Sequence, residues 1–562
     1  MDWLAPIFEK NPEIPVFLAI GLGYWFGKFK IRGVGFGPVT GSLLAGVLIG
    51  NFWHVPVSDT AKALLFLLFM YGIGFSAGPG FVRGIRDGGW RWVALAVWIP
   101  VVGLLTAYGM ALLLKLELGY AAGMMSGALT ESPIIGTASE AIRSLALPDA
   151  EKQRLIAQIP VADALTYIFG TFGVIIFCSY VGPLLLRIDL KAEAIKLEKE
   201  MGFERETPGV TSAWRMFELR AYEVDANSPV QGLTVAQVEG RVADERVFIE
   251  RLRRAGQLVE IEPGLVLAPG DIVAIQGHHA SLLRIVGNHS REVFDRDLLD
   301  VPSATFDVVL QNREMAGRPL QDIRDAFPQL RGVFLKSVTR GSNHIPVAPG
   351  TRLLVGDVLT LHGLEPAVRR VAKMAGEMLH SGGTNYVALG LAIFVGAMLG
   401  VMLSFPAGGV RVALGTSVAT LLMGLLMGWR NSVKPTFGAL SADAADLMKS
   451  IGLAAFVAMI GLKAGPVFVQ ALKDIGLAVF LAGIVVTMVP LVTGLLFGRY
   501  VLGLNSLLLL GALAGAQTMT AGLAAVQERS ESPVAVIGYS STVAFGHVLL
   551  SIGGTILVWM LA

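Results

Sequence analysis

Charged side chains are scarce in this sequence of 562 residues, since only 16% are Asp, Glu, Lys or Arg and 54% are apolar. Soluble domains contain roughly 25% charged residues, so the composition argues against a soluble enzyme. A mean hydropathy of +0.63 indicates a membrane protein instead. The formal net charge of +2 lacks the basic excess that is typical of nucleic-acid-binding chains.

Cysteine is almost absent as well, because Cys178 is the single one in the sequence. One cysteine excludes an intramolecular disulfide framework and a CxxC zinc site. The sequence has no carboxylate cluster, no Ser/His/Asp order and no phosphate-binding glycine loop. The glycine-rich strings GLGYWFGK and GVGFG fall inside or between apolar runs, where glycines pack helices. We therefore expect no enzyme activity, no cofactor and no metal.

The charges that are present concentrate in the middle of the chain. Counted along the sequence, 50 of the 88 charged residues fall between Ile188 and Ala375. Two apolar blocks of similar length flank this water-soluble part. The predicted domains are a membrane repeat at 1–187, a linker at 188–214, two soluble modules at 215–292 and 293–375, and a second membrane repeat at 376–562.

The two apolar blocks resemble each other in sequence. GIGFSAGPGFVRGIRDGG (72–89) matches MIGLKAGPVFVQALKDIG (459–476) at an offset of 387, with nine identities in order. The shared order of this and weaker matches indicates that a whole module was duplicated. The weaker matches pair GALTESP (127–133) with GALAGAQ (511–517), and Pro160, Val161, Ala162, Phe172 and Gly173 with Pro533, Val534, Ala535, Phe545 and Gly546. The second of these alignments places Asp163 opposite Val536 and His547 opposite Val174.

Ten apolar runs are long enough to cross a bilayer, which takes about 20 helical residues. They centre on 15–31, 33–50, 61–80, 90–114 and 157–187 in the first block and on 384–404, 410–428, 447–466, 474–500 and 532–561 in the second. Before the last run of each block lies a segment rich in Gly, Ala, Ser and Thr, at 119–140 and at 504–527. Its polar middle would leave backbone groups unpaired in lipid, so we predict a re-entrant hairpin or a broken helix that faces a cavity.

If each polar segment enters and leaves on the same side, each block has five crossings, and this odd number inserts the two blocks in opposite orientations. Six crossings per block are the alternative. Lys and Arg residues after the first and third runs indicate cytoplasmic loops. The basic cluster follows the first run instead of preceding it, so this run is not expected to be a signal peptide. The predicted fold is an α-helical membrane protein with two inverted repeats of about five spans plus a hairpin each, and a cytoplasmic α+β pair between them.

The soluble middle is itself repeated. APGDIVAIQG (268–277) returns as LVGDVLTLHG (354–363), and GLTVAQV (232–238) pairs with GRPLQDI (317–323). A Gly-Asp turn between two apolar strands predicts a hairpin in which the Asp caps the turn. The pattern resembles the TrkA-C, or RCK-C, regulatory domain, although no GxGxxG follows a strand, as an RCK-N nucleotide domain would require. The resemblance implies a homodimer and leaves a small regulatory ligand open.

Ionisable residues within spans are candidate transport residues, because their burial is costly. Lys463 stands at the repeat position of Ser76 and could pair with a substrate carboxylate or extend its amine to the interface. Asp163 is the only acid in its span and could select an amino group, bind a proton, pair with a basic residue or lie at the headgroup level. His547 has no second histidine at ligand spacing and is interpreted as a packing residue.

The two polar hairpin tips are the main candidate site. Hairpin tips at mid-membrane present helix ends whose free N–H groups attract anions and whose carbonyls attract cations. The alternative is a purely structural break. The predicted substrate-binding residues are Lys463, Ser76, Thr130, Glu131, Ser132, Pro133, Asp163, Gln517, Thr518 and Thr520.

Two blocks with the string AGPxFV (77–82 and 464–469), separated by two TrkA-C-like modules, resemble the aspartate–alanine exchanger family of bacterial inner-membrane antiporters. The resemblance implies exchange of L-aspartate for L-alanine, with related members moving succinate or other dicarboxylates. It also implies inward movement of net negative charge when a monoanionic aspartate replaces a neutral alanine. We expect the hairpin-bearing core to move against a scaffold built from the other spans.

A gated cation channel or potassium transporter controlled by the RCK-C-like pair is the alternative function, although the sequence has no TVGYG-like filter. A receptor in which the soluble pair senses a ligand is a third. The expected partners are a small-molecule substrate, the lipid bilayer and a second copy of the chain, with no nucleic acid. The sequence leaves open which dicarboxylate or amino acid is moved, the stoichiometry and the direction.

Overall fold

A computed structural model shows a mostly helical chain with two small antiparallel sheets in its middle. The middle forms a compact unit of its own, distinct from the unit that the apolar blocks build. The structure describes residues 3–28, 30–31, 34–35, 37–86, 89–201, 218–241, 247–277, 279–286, 291–340, 343–379, 384–407, 410–413, 415–433 and 438–562.

The first apolar block is helical except for two short strands. A π-helical turn at Phe177–Val181 joins its last two helices, so that Asp149–Leu186 forms one long apolar span. The elements are α1 (Ala5–Lys10), α2 (Glu13–Gly27), β1 (Lys30–Ile31), β2 (Val34–Gly35), α3 (Gly37–Phe52), α4 (Asp59–Arg86), α5 (Trp90–Leu114), α6 (Leu118–Ala128), α7 (Pro133–Ser144), α8 (Asp149–Ile176) and α9 (Gly182–Leu186).

The middle begins after α10 (Leu190–Met201) and consists of two modules with the same topology. The strand orders are β5-β4-β6-β3-β7 and β10-β9-β11-β8-β12. The strands β3 to β7 of the first sheet therefore occupy the same places as β8 to β12 of the second. The first module contains β3 (Glu218–Glu223), α11 (Val235–Glu239), β4 (Val247–Arg254), β5 (Gln257–Val259), β6 (Ile272–Gly277), α12 (His279–Val286), β7 (Arg291–Glu292) and α13 (Arg296–Leu299). The second contains β8 (Ser303–Leu310), α14 (Leu320–Ala326), a 3-10 turn (Pro328–Leu330), β9 (Val333–Arg340), β10 (Asn343–Ile345), β11 (Val358–Leu364), α15 (Glu365–Ala375) and β12 (Gly376–Met378).

The predicted aspartate caps are present in both modules. Asp271 accepts the backbone N–H of Ala268 at 2.8 Å, and Asp357 accepts that of Leu354 at 2.8 Å. The predicted hairpin is wrong, however, because β6 pairs with β3 and β4 and not with the segment before the turn. Capping chemistry is local, whereas strand pairing depends on partners elsewhere in the chain.

Arg331 links the two modules. Arg331 of the second module pairs with Glu239 and donates to the carbonyl of Ile249 at 2.8 Å in the first. Beside it, the rings of Phe248 and Phe334 pack edge to face at 5.8 Å. The sequence signals for two copies thus correspond to a paired structure within one chain.

The second apolar block has a helical pattern similar to that of the first, but two of its predicted spans are not separate. The predicted spans 447–466 and 474–500 are joined in a single helix of 55 residues, because the connecting sequence has no helix breaker other than Pro466. The elements are α16 (Tyr386–Met402), β13 (Ser404–Ala407), β14 (Val410–Ala413), α17 (Thr416–Val433), α18 (Ala442–Leu496), a π-helical turn (Phe497–Val501), α19 (Ser506–Ala516), α20 (Thr520–Ser530) and α21 (Val536–Leu561).

Six helical stretches of the described chain are long and apolar enough to cross a membrane, and they correspond to the predicted third, fourth and fifth spans of each block. The predicted first and second spans form shorter helices, α2, α3, α16 and α17. The six are Asp59–Val82, Trp90–Leu114, Asp149–Leu186, Asp443–Gly465, Ile475–Val501 and Val536–Leu561.

The glycines of the duplicated string allow the blocks to interlock. A Cβ on Gly74 of α4 would lie 2.1 Å from the carbonyl oxygen of Leu421 on α17. At the matching place, a Cβ on Gly461 of α18 would lie 2.4 Å from the carbonyl oxygen of Leu43 on α3. In each block the third span therefore packs directly against the second span of the other block.

Candidate functional site

The segment between α5 and α8 folds back on itself. A Cβ on Gly119 of α6 would lie 1.9 Å from the carbonyl oxygen of Leu155, and one on Gly127 would lie 2.3 Å from that of Asp163. Helix α6 thus runs parallel to α8 with the backbones in contact. The outer ends of both arms, Leu118 and Ser144, line one cavity. Helices α6 and α7 therefore form a hairpin that enters and leaves on the same side.

The segment before α21 forms a second hairpin, from α19 and α20. A Cβ on Gly515 of α19 would lie 2.6 Å from the carbonyl oxygen of Tyr539 on α21, which repeats the parallel packing of the first hairpin. Its outer ends both reach the first turn of α10. Asn505 donates to Glu193 at 3.5 Å, and Glu531 pairs with Lys191 at 2.7 Å.

The outer ends of the two hairpins lie near opposite ends of the long span Asp149–Leu186, which contains α8. The first hairpin contacts α8 at Leu155, whereas Arg529 of the second donates to the carbonyl of Ser179 at 2.8 Å. A separation of 24 positions corresponds to about 36 Å of helix, compared with about 30 Å for the hydrocarbon core of a bilayer. The hairpins thus reach toward each other from opposite sides.

The tips of the two hairpins touch. The Thr130 hydroxyl donates to the carbonyl of Gln517 at 2.7 Å, and the Thr518 hydroxyl donates to the Glu131 carboxylate at 2.8 Å. Thr130 and Thr518 both have a left-handed backbone, with φ of 54° and 55°. This conformation is uncommon for a β-branched residue, so both tips contain a strained residue at the same place.

Glu131 is the most connected residue of the tips. It is 1% exposed, and its carboxylate accepts from the hydroxyls of Thr518 at 2.8 Å and Ser551 at 3.1 Å. The Nδ1 atom of His547 lies 3.2 Å from the same carboxylate. A buried carboxylate is tolerated only when it is well paired, and these three partners come from the other block.

Asp163 lies directly behind the first tip and is 3% exposed. The Ser126 hydroxyl is 2.6 Å from Asp163 Oδ1 and 3.2 Å from the carbonyl oxygen of Glu131. The Glu131 N–H donates in turn to the carbonyl of Ser126 at 3.0 Å. Ser126 thereby connects a buried acid to the backbone of the tip.

The second tip has polar groups without partners among the described residues. Gln517 is fully buried, and its Oε1 has no hydrogen bond. The backbone N–H groups of Thr520, Ala521 and Gly522, which begin α20, have no acceptor either. A helix N-terminus with free amides is suited to bind a carboxylate.

Lys463 is not at the tips. Its Nζ atom lies 3.0 Å from Asp59 Oδ1, where Lys62 also pairs with the same carboxylate. Arg143 of α7 lies 3.8 Å from Asp59, and it is ten positions beyond the tip residue Pro133, or about 15 Å along the helix. The structure therefore places Lys463 at the outer end of the first hairpin, away from the other predicted site residues.

Three of the remaining predicted residues lie at the tips, and the fourth, Ser76, lies on α4. Ser132 and Pro133 are buried at the start of α7, and Thr520 is exposed at the start of α20. Ser76 is half-buried on α4, one turn before Gly80, whose Cβ position would contact Ala544 of α21 at 3.4 Å. Ser76 is thus close to α21 but has no described contact with a tip.

Ser126 and Ser551 were not predicted as site residues, and His547, interpreted from the sequence as a packing residue, contacts the Glu131 carboxylate in the structure. The register between the blocks also differs from the predicted one, because the two hairpins correspond at an offset of 388 and the helices after them at 376. Gly127 packs on Asp163 as Gly515 packs on Tyr539, so Tyr539, not Val536, corresponds to Asp163. Similarly, Thr171 and not Val174 corresponds to His547. Small residues recur at one-turn spacing in these helices, so identity matches alone did not distinguish adjacent registers.

Two hairpins that meet between interlocked helical blocks, together with six membrane-spanning helices, define a multi-pass membrane protein. A family model described as Predicted Permease Membrane Region (Asp-Al_Ex) matches residues 15–183 and 388–559, which are the two apolar blocks. The chain belongs to this family, and the match supports a transporter with a small-molecule substrate.

Relatives extend the similarity through the middle of the chain. An uncharacterized transporter of Bradyrhizobium diazoefficiens is 46% identical and aligns over 92% of this chain and 100% of its own length. One of Shewanella oneidensis is 36% identical over 100% of both chains, and one of Bordetella bronchiseptica is 37% identical over 99% of this chain and 98% of its own. No solved structure matches this chain.

Proposed function

We propose that the chain is a secondary active antiporter that exchanges L-aspartate, or a related dicarboxylate, for L-alanine across the bacterial inner membrane. The observation that supports this best is the contact between two polar hairpin tips that reach in from opposite sides. Transporters place substrate sites near the bilayer midplane at the interface of inverted repeats, where broken helices present their ends. We infer that the two blocks are such inverted repeats.

The second tip offers complementary groups for an amino acid. A substrate carboxylate binds to the free amides and the Thr520 hydroxyl at the start of α20. The Gln517 Oε1 atom provides an unpaired acceptor for the amino group, and Glu131 provides negative charge nearby. Alanine uses the same carboxylate and amino sites, whereas the second carboxylate of aspartate faces His547, which is 32% exposed.

Alternating access requires that the contacts between the tips break, so that the substrate site opens to one side of the membrane and then to the other. The hydrogen bonds of Thr130 with Gln517 and of Thr518 with Glu131 are the direct links between the tips. Each hydrogen bond contributes on the order of 1 kcal/mol, which is small enough for substrate binding to replace. The hairpin-bearing helices then move against the interlocked second and third spans.

The proposal also gives the two middle modules a regulatory and dimer-forming function. We assign them to the RCK-C type, because both copies share one strand order and one aspartate-capped turn. They lie in the cytoplasm and hold two copies of the chain together as a homodimer. A small regulatory ligand would act on this pair.

Counterflow in proteoliposomes tests the transport function. Vesicles loaded with unlabelled aspartate are diluted into labelled aspartate, alanine, succinate or a potassium analogue, and protein-free vesicles serve as the control. We expect uptake of labelled aspartate and alanine only when internal aspartate or alanine is present. Cation flux without any amino-acid exchange would contradict the antiporter and favour a channel gated by the middle modules.

A further inference from the structure

The carboxylate of Glu140 connects the first hairpin to the second span of the other block. Glu140 lies on α7, and it accepts the backbone N–H of Ser417 at 3.1 Å and the hydroxyls of Thr416 and Ser417 at the start of α17. The backbone N–H of Thr416 donates to the same carboxylate. Two backbone and two side-chain donors therefore hold both oxygens of this acid.

The start of α17 is shaped for a carboxylate. The N–H groups in the first turn of this 18-residue helix have no partner within the helix, and they carry partial positive charge that stabilises an anion. Gly415, directly before α17, has a left-handed backbone with φ of 83°. A Cβ on Gly415 would lie 3.0 Å from Glu140 Oε2, so the glycine also leaves the space that the acid occupies. The contact is a helix cap that one block supplies to the other.

The second hairpin has the corresponding acid without the cap. At the offset of 388 between the hairpins, Glu140 corresponds to Glu528 of α20. Glu528 is exposed and has no ion pair or side-chain hydrogen bond with the described part of the chain. The same residue type at the same place is thus held in one hairpin and free in the other.

The packing of the second spans identifies the counterpart of the α17 start. Gly424 of α17 packs on the carbonyl oxygen of Tyr71, as Gly46 of α3 packs on that of Ala458. Tyr71 and Ala458 are related by the offset of 387 of the duplicated string. The helices α3 and α17 therefore correspond at an offset of 378.

This register explains why the second hairpin has no cap. Pro38 and Val39 of α3 stand where α17 has Thr416 and Ser417. Proline has no backbone N–H, and valine has no hydroxyl. Three of the four donors that hold Glu140 are therefore absent from the corresponding place on α3.

Glu140 is too far from the tips to contact the proposed substrate site. It lies seven positions beyond Pro133 on α7, or about 10 Å along the helix. Its effect on transport is therefore on the position of the hairpin and not on the substrate itself.

We propose that the contact of Glu140 with Thr416 and Ser417 is a latch that holds the first hairpin closed against α17. This inference rests on the alternating access proposed above, in which the hairpin-bearing helices move against the second and third spans. The latch joins a moving helix, α7, to one of the second spans, so the carrier opens toward the side of the first hairpin only when the latch breaks. The second hairpin lacks a latch, and the two sides therefore open at unequal cost.

Thiol labelling from each side of the membrane tests the latch. The probe is Ala141→Cys, next to Glu140, in a Cys178→Ala background. Ala141 is 4% exposed and belongs to the same apolar cluster as Leu421 of α17. Its rate of reaction with a membrane-impermeant maleimide then reports the population in which the first hairpin has left α17.

Glu140→Gln keeps the size of the side chain and removes its charge and one acceptor. Because hydrogen bonds to a charged group are stronger than neutral ones, we expect labelling of Ala141→Cys to become about tenfold faster or more, and only from the side on which the first hairpin enters. Glu528→Gln is the matched control in the second hairpin, and its rate should stay within about twofold of the unsubstituted background.

Each outcome decides the proposal. An unchanged rate in Glu140→Gln, an equal rise in Glu528→Gln, or an equal rise from both sides would overturn it. If Glu140→Gln does not fold, Ser417→Ala, which keeps the acid and removes one donor, should raise the rate from the same side, and an unchanged rate would contradict the latch. Labelling needs no substrate, so failure of the latch is distinguishable from failure of the antiporter, which the counterflow assay tests.

Discussion

At the scale of single residues, the tips combine strain with satisfied polar contacts. Left-handed Thr130 and Thr518 each cost on the order of 1–3 kcal/mol, and the hydrogen bonds between the tips help to offset that cost. Each left-handed residue is held by backbone bonds within its own hairpin, from Glu131 N–H to the Ser126 carbonyl and from Met519 N–H to the Ala514 carbonyl, so separating the tips breaks only the hydrogen bonds between them. A tip contact of this kind is reversible, as alternating access requires.

Glu131 and Lys463 give a direct comparison between a tip residue and a peripheral one. Glu131→Gln removes the charge that faces His547 and weakens the bond to Thr518, so we expect the apparent affinity for aspartate to fall about 10- to 100-fold. Lys463→Gln removes an ion pair with the 55% exposed Asp59, and such pairs contribute little. We expect its apparent affinity to stay within about twofold of wild type.

Concentration-dependent counterflow with both variants provides the measurement. Monodisperse elution in detergent controls for folding, because Glu131 is buried in a network. A large loss of affinity in Lys463→Gln with little change in Glu131→Gln would restore Lys463 as the main carboxylate-binding residue and contradict the site proposed here.

The polar residues of the tips could be predicted because they interrupt otherwise apolar sequence. Their partners could not, since His547 and Ser551 are more than 400 positions away from Glu131 and apolar runs give no register for bringing them together. The same limit applies to Lys463, whose pairing with Asp59 depends on how α4 and α18 pack. The sequence shows which residues are polar or charged, whereas the fold shows which of them lie close to each other.

At the scale of elements, close helix packing depends on where a glycine lies and not on how many there are. Gly123 of α6 contacts α8, since its Cβ would lie 2.1 Å from the carbonyl oxygen of Ile159. Gly109 of α5 has no atom within 4 Å of its Cβ position. The same substitution should therefore have opposite effects at the two positions.

Gly123→Ala is expected to displace the first hairpin from α8, because a backbone oxygen cannot move aside, and to lower counterflow at least about tenfold. Gly109→Ala should leave counterflow unchanged and stabilise α5 by about 0.5–1 kcal/mol. Initial uptake rates, normalised to the amount of reconstituted protein, check both expectations. Equal rates for the two variants would show that the α6–α8 contact has room for a methyl group.

Hairpins and modules were predictable as elements, but their connections were less so. Polar breaks at matched places predicted α6–α7 and α19–α20, because lipid does not tolerate unpaired backbone groups. In contrast, the joint between the third and fourth spans of the second block is helical in α18, although hydropathy shows two separate runs there. Hydropathy reports which residues avoid water and does not report where a helix ends.

At the scale of the whole molecule, the two apolar blocks are interlocked by packing between them. The third span of each block packs against the second span of the other, through Gly74 on Leu421 and Gly461 on Leu43. Neither block can bury these glycine faces alone, so the two must fold together. The sequence predicts a duplication, whereas the exchange of partners between blocks follows only from the packing.

Opposite entry of the two hairpins makes a prediction for labelling from the two sides of the membrane. Asp149 follows the outer end of the first hairpin and is fully exposed, and Glu528 is exposed near the outer end of the second. Because the outer ends lie near opposite ends of the span that contains α8, Asp149→Cys should react with a membrane-impermeant thiol reagent from one side only. Glu528→Cys should react from the other side only.

The native thiol is buried at Cys178, and Cys178→Ala provides a background without it. Intact cells and inside-out vesicles give the two sides, with unsubstituted Cys178→Ala protein as the blank. If both positions react from the same side, the hairpins do not enter from opposite sides, and inverted repeats could not explain how the two tips meet.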